Sequence, residues 1–184
     1  GRALQYRRMP RAVRQERRSE PLLGIRRPCV VPVQARGEGH VQPWSIMTSL
    51  LLTEEETMAF YCRIRKEFEE YGYGLYAVEC KETQNFLGYV GFHNIAFESD
   101  FTPGVEIGWR LCRDAWGKGY ATEAASACLD YASDNLPFKT VYSFTAIPNK
   151  RSERVMQKIG MHFEKEFDHP FGGTRALVMQ TYIV

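Results

Sequence analysis

The sequence predicts a mixed α/β domain, in which one twisted sheet carries helices on both of its faces. Apolar residues recur with a helical period over residues 53–71 and 117–135, whereas residues 105–111 alternate between apolar and other side chains. The predicted order in the second half of the chain is strand, helix, strand, helix and a closing hairpin. Helices inserted between strands in this way favour a sheet that is covered on both sides.

Length and composition indicate one globular domain. The chain has 184 residues, of which 44% are hydrophobic and 25% charged, and this profile excludes a collagen-like, low-complexity or wholly disordered protein. No apolar run approaches the roughly 20 residues of a membrane span, and the first residues lack the apolar core of a secretory signal. We therefore expect a cytoplasmic protein that does not enter a membrane.

The cysteine and histidine patterns predict neither disulfides nor a metal site. The five cysteines are an odd number, and no two of them lie closer than 16 residues, which suits neither a disulfide framework nor a CxxC metal site. The four histidines form no ligand-spaced cluster with cysteines or carboxylates. Reduced thiols and no bound metal are the expectation.

Residues 1–45 differ in charge from the rest of the chain. They carry ten Arg, no Lys and three Glu, a net charge of +7, whereas residues 46–184 have a net charge of −5. One interpretation is a basic helical stripe that binds RNA or another polyanion, formed by Arg7, Arg11, Arg14 and Arg18. The other is an arm that is poorly ordered or not native to the protein, with residues 28–35 as a candidate edge strand. We divide the chain into this basic arm and a folded domain over residues 46–184.

The helix predicted over residues 53–71 has signals at both ends. Thr53 followed by Glu56 is a capping box, in which each side chain accepts a hydrogen bond from the other residue's backbone. Gly72, just after the last apolar position, is a typical helix terminator. These signals place the helix ahead of the first strand of the domain.

Three strands are predicted after this helix. Residues 75–79 and 86–92 are separated by a polar turn and predict an antiparallel pair. The third strand covers residues 105–111. Because side chains alternate between the two faces of a strand, Glu106 and Arg110 share one face of it.

The rest of the chain predicts two further helices and three strands. A helix over about 117–135 has a stripe of small residues that permits close packing on a sheet. A strand at 141–147 leads into a short helix that ends at Gly160. Strands at 162–167 and 176–184 then form the closing hairpin.

The segment DAWGKGYATE, residues 114–123, joins a predicted strand to a predicted helix. A helix start presents unpaired N–H groups and a positive dipole end, and glycines let a ligand approach the backbone, so this position suits a phosphate. The segment lacks the GxxxxGK[ST] pattern of a P-loop. It also has Thr122 where the dinucleotide fingerprint needs a third small residue. By itself, the pair of glycines is a weak signal.

Three motifs in sequence order carry a more specific signal. They are EIGWRL at 106–111, WGKGYATEA at 116–124 and PNKRSERVMQKIGM at 148–161. Together they resemble the GNAT superfamily of acetyl-CoA-dependent N-acetyltransferases, and within it the branch that includes the ribosomal-protein N-terminal acetyltransferases. The resemblance covers about residues 53–184. It implies the GNAT fold, in which the strands at 105–111 and 141–147 run parallel and splay apart to admit the pantetheine arm of CoA.

The resemblance implies a cofactor site and catalytic residues on these motifs. Backbone amides of residues 117–121 would hold the pyrophosphate of acetyl-CoA, the one cosubstrate expected. The residues expected to contact acetyl-CoA are Trp109, Arg110, Leu111, Trp116, Gly117, Lys118, Gly119, Tyr120, Ala121, Thr122, Asn149 and Ser152. The expected catalytic residues are Glu106, Ser152 and Asn149.

The sequence departs from the family pattern at three places. Asp114 stands where the superfamily has Gln or Arg, which leaves a cradle made of backbone amides unaffected. Met156 stands where many members have a Tyr that protonates the leaving thiolate, and a thioether cannot donate a proton. Ser152 matches a serine of the resembled branch and is the candidate acid instead. Residues 1–45 lack the first strand and the acidic, apolar helix that are usual in the family.

Acetyl transfer to an amine needs a base for the ammonium and an acid for the thiolate. Glu106 is the candidate base, and the alternative for it is a salt bridge to Arg110 on the same strand face. Asn149 would bind the pantetheine or the acceptor, cap a helix, or do both. Ser152 would protonate the thiolate or contact CoA, and the alternative is that it satisfies only local backbone groups.

The remaining candidates also have plainer interpretations. Lys118 and Arg113 would neutralise CoA phosphates or simply be solvated. Trp116 and Trp109 would pack near the cofactor or be buried in the core. His93 would line the acceptor pocket or be a hydrogen-bonded imidazole at the surface, and we favour the latter.

The sequence therefore predicts an N-acetyltransferase that moves the acetyl group of acetyl-CoA to a primary amine by direct attack in a ternary complex. The resemblance favours a protein amino terminus as the acceptor, with antibiotics and polyamines as alternatives. A non-catalytic acyl-CoA-binding module, supported by Met156, is the alternative from another class. The expected state is a monomer or homodimer without a membrane partner, and nucleic acid would bind only through the arginine-rich arm.

Overall fold

The computed structural model describes residues 54–80, 83, 85–170 and 175–182, and in addition the backbone of two short strands at 4–8 and 25–26. In chain order the elements are β1 (Leu4–Arg8), β2 (Ile25–Arg26), α1 (Glu54–Tyr71), β3 (Leu75–Cys80), β4 (Phe86–Asn94), β5 (Val105–Leu111), a 3-10 turn (Arg113–Ala115), α2 (Tyr120–Asn135), β6 (Thr140–Ala146), α3 (Lys150–Lys158), β7 (His162–Asp168) and β8 (Arg175–Tyr182). The predicted strands and helices of the folded domain are thus present in the predicted order.

All the described strands belong to one mixed sheet. Their spatial order is β2-β1-β3-β4-β5-β6-β8-β7. The pairs β1–β2 and β5–β6 are parallel, and the other neighbours are antiparallel. The connection from β5 to β6 runs through α2, as a parallel crossover requires. This architecture confirms the predicted mixed α/β fold.

Helix α1 covers one face of the sheet. It ends where Gly72 takes a φ of +77° and donates its N–H to the carbonyl of Phe68. Its residue Ile64 is fully buried against Leu75 of β3 and Tyr89 of β4. The predicted capping residue Thr53 lies outside the described residues.

Helix α2 covers the opposite face. Its small residues are buried in the main hydrophobic cluster of the domain, and these are Ala124, Ala125, Cys128 and Ala132. Burial raises the pKa of the Cys128 thiol to about 12, so this thiol stays protonated and behaves as a small apolar side chain. Helix α2 begins at Tyr120, three residues later than predicted, because the chain before it forms the 3-10 turn and a glycine loop.

Strand β1 corrects the sequence analysis, which predicted no strand at residues 4–8. Its residues pair antiparallel with β3, and Arg7 lies opposite Ala77. A basic helical stripe that includes Arg7 is therefore wrong, because this residue is in an extended strand. The other three arginines of the stripe, and the candidate edge strand at 28–35, lie outside the described residues.

Candidate active site

The parallel strands β5 and β6 separate after a short contact. Their register contains two pairs, Val105 with Val141 and Glu106 with Tyr142. Beyond this point β5 stays paired with β4 as far as Leu111, whereas β6 follows β8. The facing edges of the two strands therefore diverge, and their backbone groups point into a slot between them. The predicted splay is confirmed, and Glu106 lies at its apex.

A glycine loop lies at the open end of this slot. Gly117 and Gly119 have φ values of +71° and +86°, which L side chains rarely adopt, and a Cβ on either glycine would meet nothing within 4 Å. Gly119 is the N-cap of α2 and provides no side-chain capping bond. The first turn of α2 therefore starts with backbone N–H groups that have no acceptor within the helix. An open cradle of such donors fits a pyrophosphate.

The tryptophans beside this loop differ in burial. Trp116 is 48% exposed, so the interpretation of core burial is wrong for it. Its indole Nε1–H donates to the carbonyl of Leu111 at 2.8 Å, and the guanidinium of Arg151 lies 4.9 Å from its ring centroid. Trp109 is partly buried and packs against the main core. Lys118 is exposed beside the cradle.

Helix α3 starts on the other side of the slot and is capped by a side chain. Asn149 Oδ1 accepts the backbone N–H of Ser152 at 3.3 Å, which confirms the predicted N-cap. The amide Nδ2 of Asn149 donates to Thr145 Oγ1 at 3.0 Å and to Ser152 Oγ at 3.2 Å. Because Ser152 Oγ accepts this bond, its own hydroxyl proton is left for donation. Met156 is 1% exposed and belongs to the core.

Glu106 is buried, and none of the described residues forms a salt bridge with it. It is 3% exposed, and among the described residues its Oε1 has no hydrogen-bond partner. Burial raises the pKa of this carboxyl well above its usual range. No ion pair joins it to Arg110, and the alternative of a salt bridge is wrong for a geometric reason. Residues four apart on a strand are separated by about 13 Å.

His93 is a buried neighbour of Glu106. It is 7% exposed, which corrects the expectation of a surface imidazole, and it lies opposite Glu106 in the β4–β5 register. Its Nδ1 is 2.7 and 2.9 Å from the two carboxylate oxygens of Glu67 on α1. Sequence reasoning missed Glu67, because one acidic residue on an amphipathic helix carries no signal of its own. The sequence analysis named His93, but its place opposite Glu106 follows only from the register of β4 and β5.

A cavity of about 410 Å³ lies at the other end of β5 and β6. It is lined by Asn94, Pro103, Gly104, Val105, Phe138, Thr140 and Tyr142. The full length of β5 separates this cavity from the glycine loop, so it is not the phosphate cradle.

The comparisons with known proteins agree with this geometry. Residues 31–162 match the family profile of the acetyltransferase (GNAT) domain, and the chain belongs to this family of N-acetyltransferases. It is similar to YkkB of Bacillus subtilis, with 36% identity over 129 residues that span 63% of this chain and 74% of YkkB. It is also 30% identical over 117 residues to the N-acetyltransferase YnaD of the same organism, spanning 64% of each chain.

Solved structures share the fold at low identity. A GNAT-family acetyltransferase from Bordetella pertussis superposes with a TM-score of 0.64 at 23% identity, over 70% of this chain and 77% of that one. Ribosomal-protein-S5-alanine acetyltransferase from Vibrio fischeri gives 0.60 at 16%, over 71% and 73%. Spermidine/spermine N-acetyltransferase SpeG from Vibrio cholerae gives 0.56 at 19%, over 71% and 75%. Sequence identities this low indicate a shared fold but do not indicate a shared substrate.

The described part of the chain lacks two further features. None of its helices combines the length and the apolar character that crossing a membrane would take. Nor do three or more His, Cys, Asp or Glu side chains come together there as a set of metal ligands.

Proposed function

We propose that this protein transfers the acetyl group of acetyl-CoA directly to a primary amine, without a covalent enzyme intermediate. The proposal rests on one observation, which is that a phosphate cradle and a buried carboxylate lie at the two ends of the same slot. The β5–β6 slot has an open phosphate cradle at its wide end and a buried carboxylate, Glu106, at its apex. A thioester that enters this slot with its phosphates in the cradle brings its acyl end toward Glu106.

The cradle and the slot each bind a different part of acetyl-CoA. The backbone amides at the start of α2, from Gly119 to Thr122, hold the pyrophosphate, and exposed Lys118 adds positive charge. The edge of β5 that faces the slot, residues 107–111, offers backbone groups to the pantetheine amides. When bound, acetyl-CoA supplies the activated acyl group.

The side chains at the apex and on α3 move the protons. Glu106 takes a proton from the acceptor ammonium, so that the neutral amine can attack the thioester carbonyl. A base with a pKa raised by burial is better matched to neutral pH than an ordinary carboxylate. Ser152, oriented by the amide of Asn149, donates its hydroxyl proton to the departing sulfur and regains one from the acetylated nitrogen, which loses its second proton as the amide forms.

The acceptor we propose first is a protein amino terminus. This rests on the motif resemblance; the Vibrio fischeri enzyme that shares the fold is named for an alanine of a ribosomal protein. A small polyamine is the second candidate, because the Vibrio cholerae enzyme of the same fold is named for spermidine and spermine. The net charge of −5 over residues 46–184 favours a cationic acceptor in either case.

The decisive experiment measures thiol release from acetyl-CoA by the full chain with an alanyl peptide, spermidine or kanamycin as acceptor. We expect turnover on one of these classes, and Glu106→Gln should lower kcat at least about 100-fold while CoA binding stays unchanged. Glu98→Gln is the matched control, because Glu98 is an exposed carboxylate in the loop before β5. Tight CoA binding without turnover on any acceptor would instead favour the non-catalytic acyl-CoA-binding module.

The same carboxylate predicts two pH dependences. Because Glu106 must be ionised to act, kcat/KM should fall with decreasing pH while the pH is still well above the ordinary Glu value of about 4.3. Stability should follow the opposite trend. A native pKa above the unfolded one means that the native state binds more protons, so stability falls as pH rises between those two values.

Thermal unfolding of Glu106→Gln checks the sign of the stability effect. This variant lacks the ionisable group, so its Tm should exceed that of the wild type by a margin that grows from low to neutral pH. A margin that stays constant with pH would mean that Glu106 does not titrate between its ordinary and its raised value.

A further inference from the structure

A buried base must pass on the proton that it accepts. An ammonium and a thioester give an amide, a thiol and one proton, so each turnover of the proposed reaction leaves one proton at Glu106. This residue is 3% exposed and lies at the apex of the slot. Unless the proton reaches solvent, Glu106 stays neutral and cannot act again. The site therefore needs a second group that binds a proton beside Glu106.

His93 occupies the position that such a group requires. It is the cross-strand partner of Glu106 in the antiparallel pair β4–β5, so both side chains project from the same face with their Cβ atoms about 5 Å apart. The next pair on that face is Gly91 opposite Gly108. Gly108 contributes no side chain beside Glu106, whereas the position of a Cβ on Gly91 is occupied by the backbone of Gly74 and Leu75.

Glu67 fixes the protonation chemistry of the imidazole. Its two carboxylate oxygens lie 2.9 and 2.7 Å from His93 Nδ1, and its side chain is 17% exposed on α1. An ionised carboxylate only accepts hydrogen bonds, so Nδ1 carries a hydrogen toward it. This leaves Nε2 as the ring nitrogen that gains and loses a proton. Glu67 also balances the positive charge that His93 acquires when Nε2 is protonated.

We propose that His93 carries the reaction proton from Glu106 to solvent and that Glu67 positions it, an inference that rests on the proposed acetyltransferase function. Glu106 Oε1 and His93 Nε2 are not hydrogen-bonded to each other, so one water between them carries the proton. The O–H bond of protonated Glu106 breaks as this water takes its proton, and the water gives one of its own protons to His93 Nε2. The imidazolium then releases one proton to water, and both groups return to their starting forms. One proton leaves per acetyl group transferred, so no further reactant is needed.

Chemical rescue in the full-length protein tests this assignment. With whichever of the alanyl peptide, spermidine and kanamycin has the highest kcat/KM, His93→Ala should lower kcat about 100-fold, within the range of general acid–base effects, while KM for acetyl-CoA stays unchanged. Imidazole added to the assay should restore most of that rate, because it fits the space that the ring vacates. Glu67→Gln should lower kcat less, about 10-fold, without rescue, because the ring still fills its place.

His162 offers a matched control. It is an exposed histidine on β7, and His162→Ala should neither lose rate nor respond to imidazole. If His93→Ala does not fold, His93→Gln keeps a side chain of similar size that cannot be protonated, and the same loss of kcat is expected for it. A wild-type kcat in the folded variant, or a loss that imidazole fails to restore in folded His93→Ala, would overturn the relay.

The outcomes separate this inference from the function on which it rests. Full activity of Glu106→Gln, or no turnover on any acceptor, removes the proposed function and the relay together. An inactive Glu106→Gln beside a fully active His93→Ala removes the relay alone.

Discussion

Two helices begin at the open end of the β5–β6 slot, and they differ in whether a side chain caps the backbone N–H groups of the first turn. Helix α2 follows Gly119, which has a φ of +86° and no side chain to cap the helix. Helix α3 follows Asn149, whose side chain accepts the backbone N–H of Ser152. The first start leaves backbone donors open, and the second satisfies a donor within the protein.

Because of this difference, we expect the two helices to have different functions. An anion site at a helix start needs free amides, so a helix that caps itself with a side chain has given up part of that site. Helix α2 therefore suits the phosphates of the cosubstrate. Helix α3 contributes side-chain chemistry, because its cap also holds the hydroxyl of Ser152 at 3.2 Å.

The largest expected effect comes from giving α2 a cap of its own. Gly119→Asp places a carboxylate where it competes for the open amides and repels phosphate, so the Kd for CoA should rise at least about 10-fold by calorimetry. Gly119→Asn is the matched variant, because Asn also tolerates a positive φ but carries no charge. It should weaken binding less. Unchanged binding in both variants would mean that the phosphates lie elsewhere.

A smaller effect is expected from removing the cap of α3. Asn149→Ala should cost about 1 kcal/mol, the usual value of an N-cap, and lower Tm by about 2–4 °C in a domain of this size. Asn149→Asp keeps an acceptor for the Ser152 N–H but loses both N–H donors, including the one to buried Thr145. Asn149→Asp should therefore recover part of the lost Tm. Both variants should lower kcat, because both lose the amide N–H that orients Ser152. Equal kcat in Asn149→Asp and the wild type would show that the amide does not orient Ser152.

The sequence predicts the local features of the site, whereas contacts between distant segments follow only from the fold. Both helix starts are visible as local patterns, since Gly117 and Gly119 are turn residues and Asn149 is a favourable cap three residues before Ser152. The strand that carries Glu106 is equally local, because its alternation decides which residues share a face. Signals of this kind depend on a few neighbouring residues, and they gave the correct order of elements in the domain.

Contacts between distant segments were not predictable in the same way. Strand β1 is held by pairing with β3, some seventy residues further along the chain, and its own alternation, from Leu4 to Arg7, is too short to identify a strand. The burial of His93 depends on α1 packing over β4, and its contact with Glu67 spans 26 residues. The alternative of a Glu106–Arg110 salt bridge was wrong. The two residues share a face of β5, but a strand is so extended that residues four apart on it are too distant to pair.

The smallest expected effect concerns the contact that joins the two helix starts. Arg151 at the beginning of α3 lies over the ring of Trp116, just before α2, and both side chains are exposed. An exposed cation–π contact contributes about 0.5–1 kcal/mol. A double-mutant cycle with Arg151→Ala and Trp116→Leu, measured by urea unfolding, should return a coupling energy of that size. The indole hydrogen bond to Leu111 is lost in both Trp116 variants and so cancels in the cycle. Zero coupling would mean that the two helix starts are energetically independent and that only a bound cosubstrate links them.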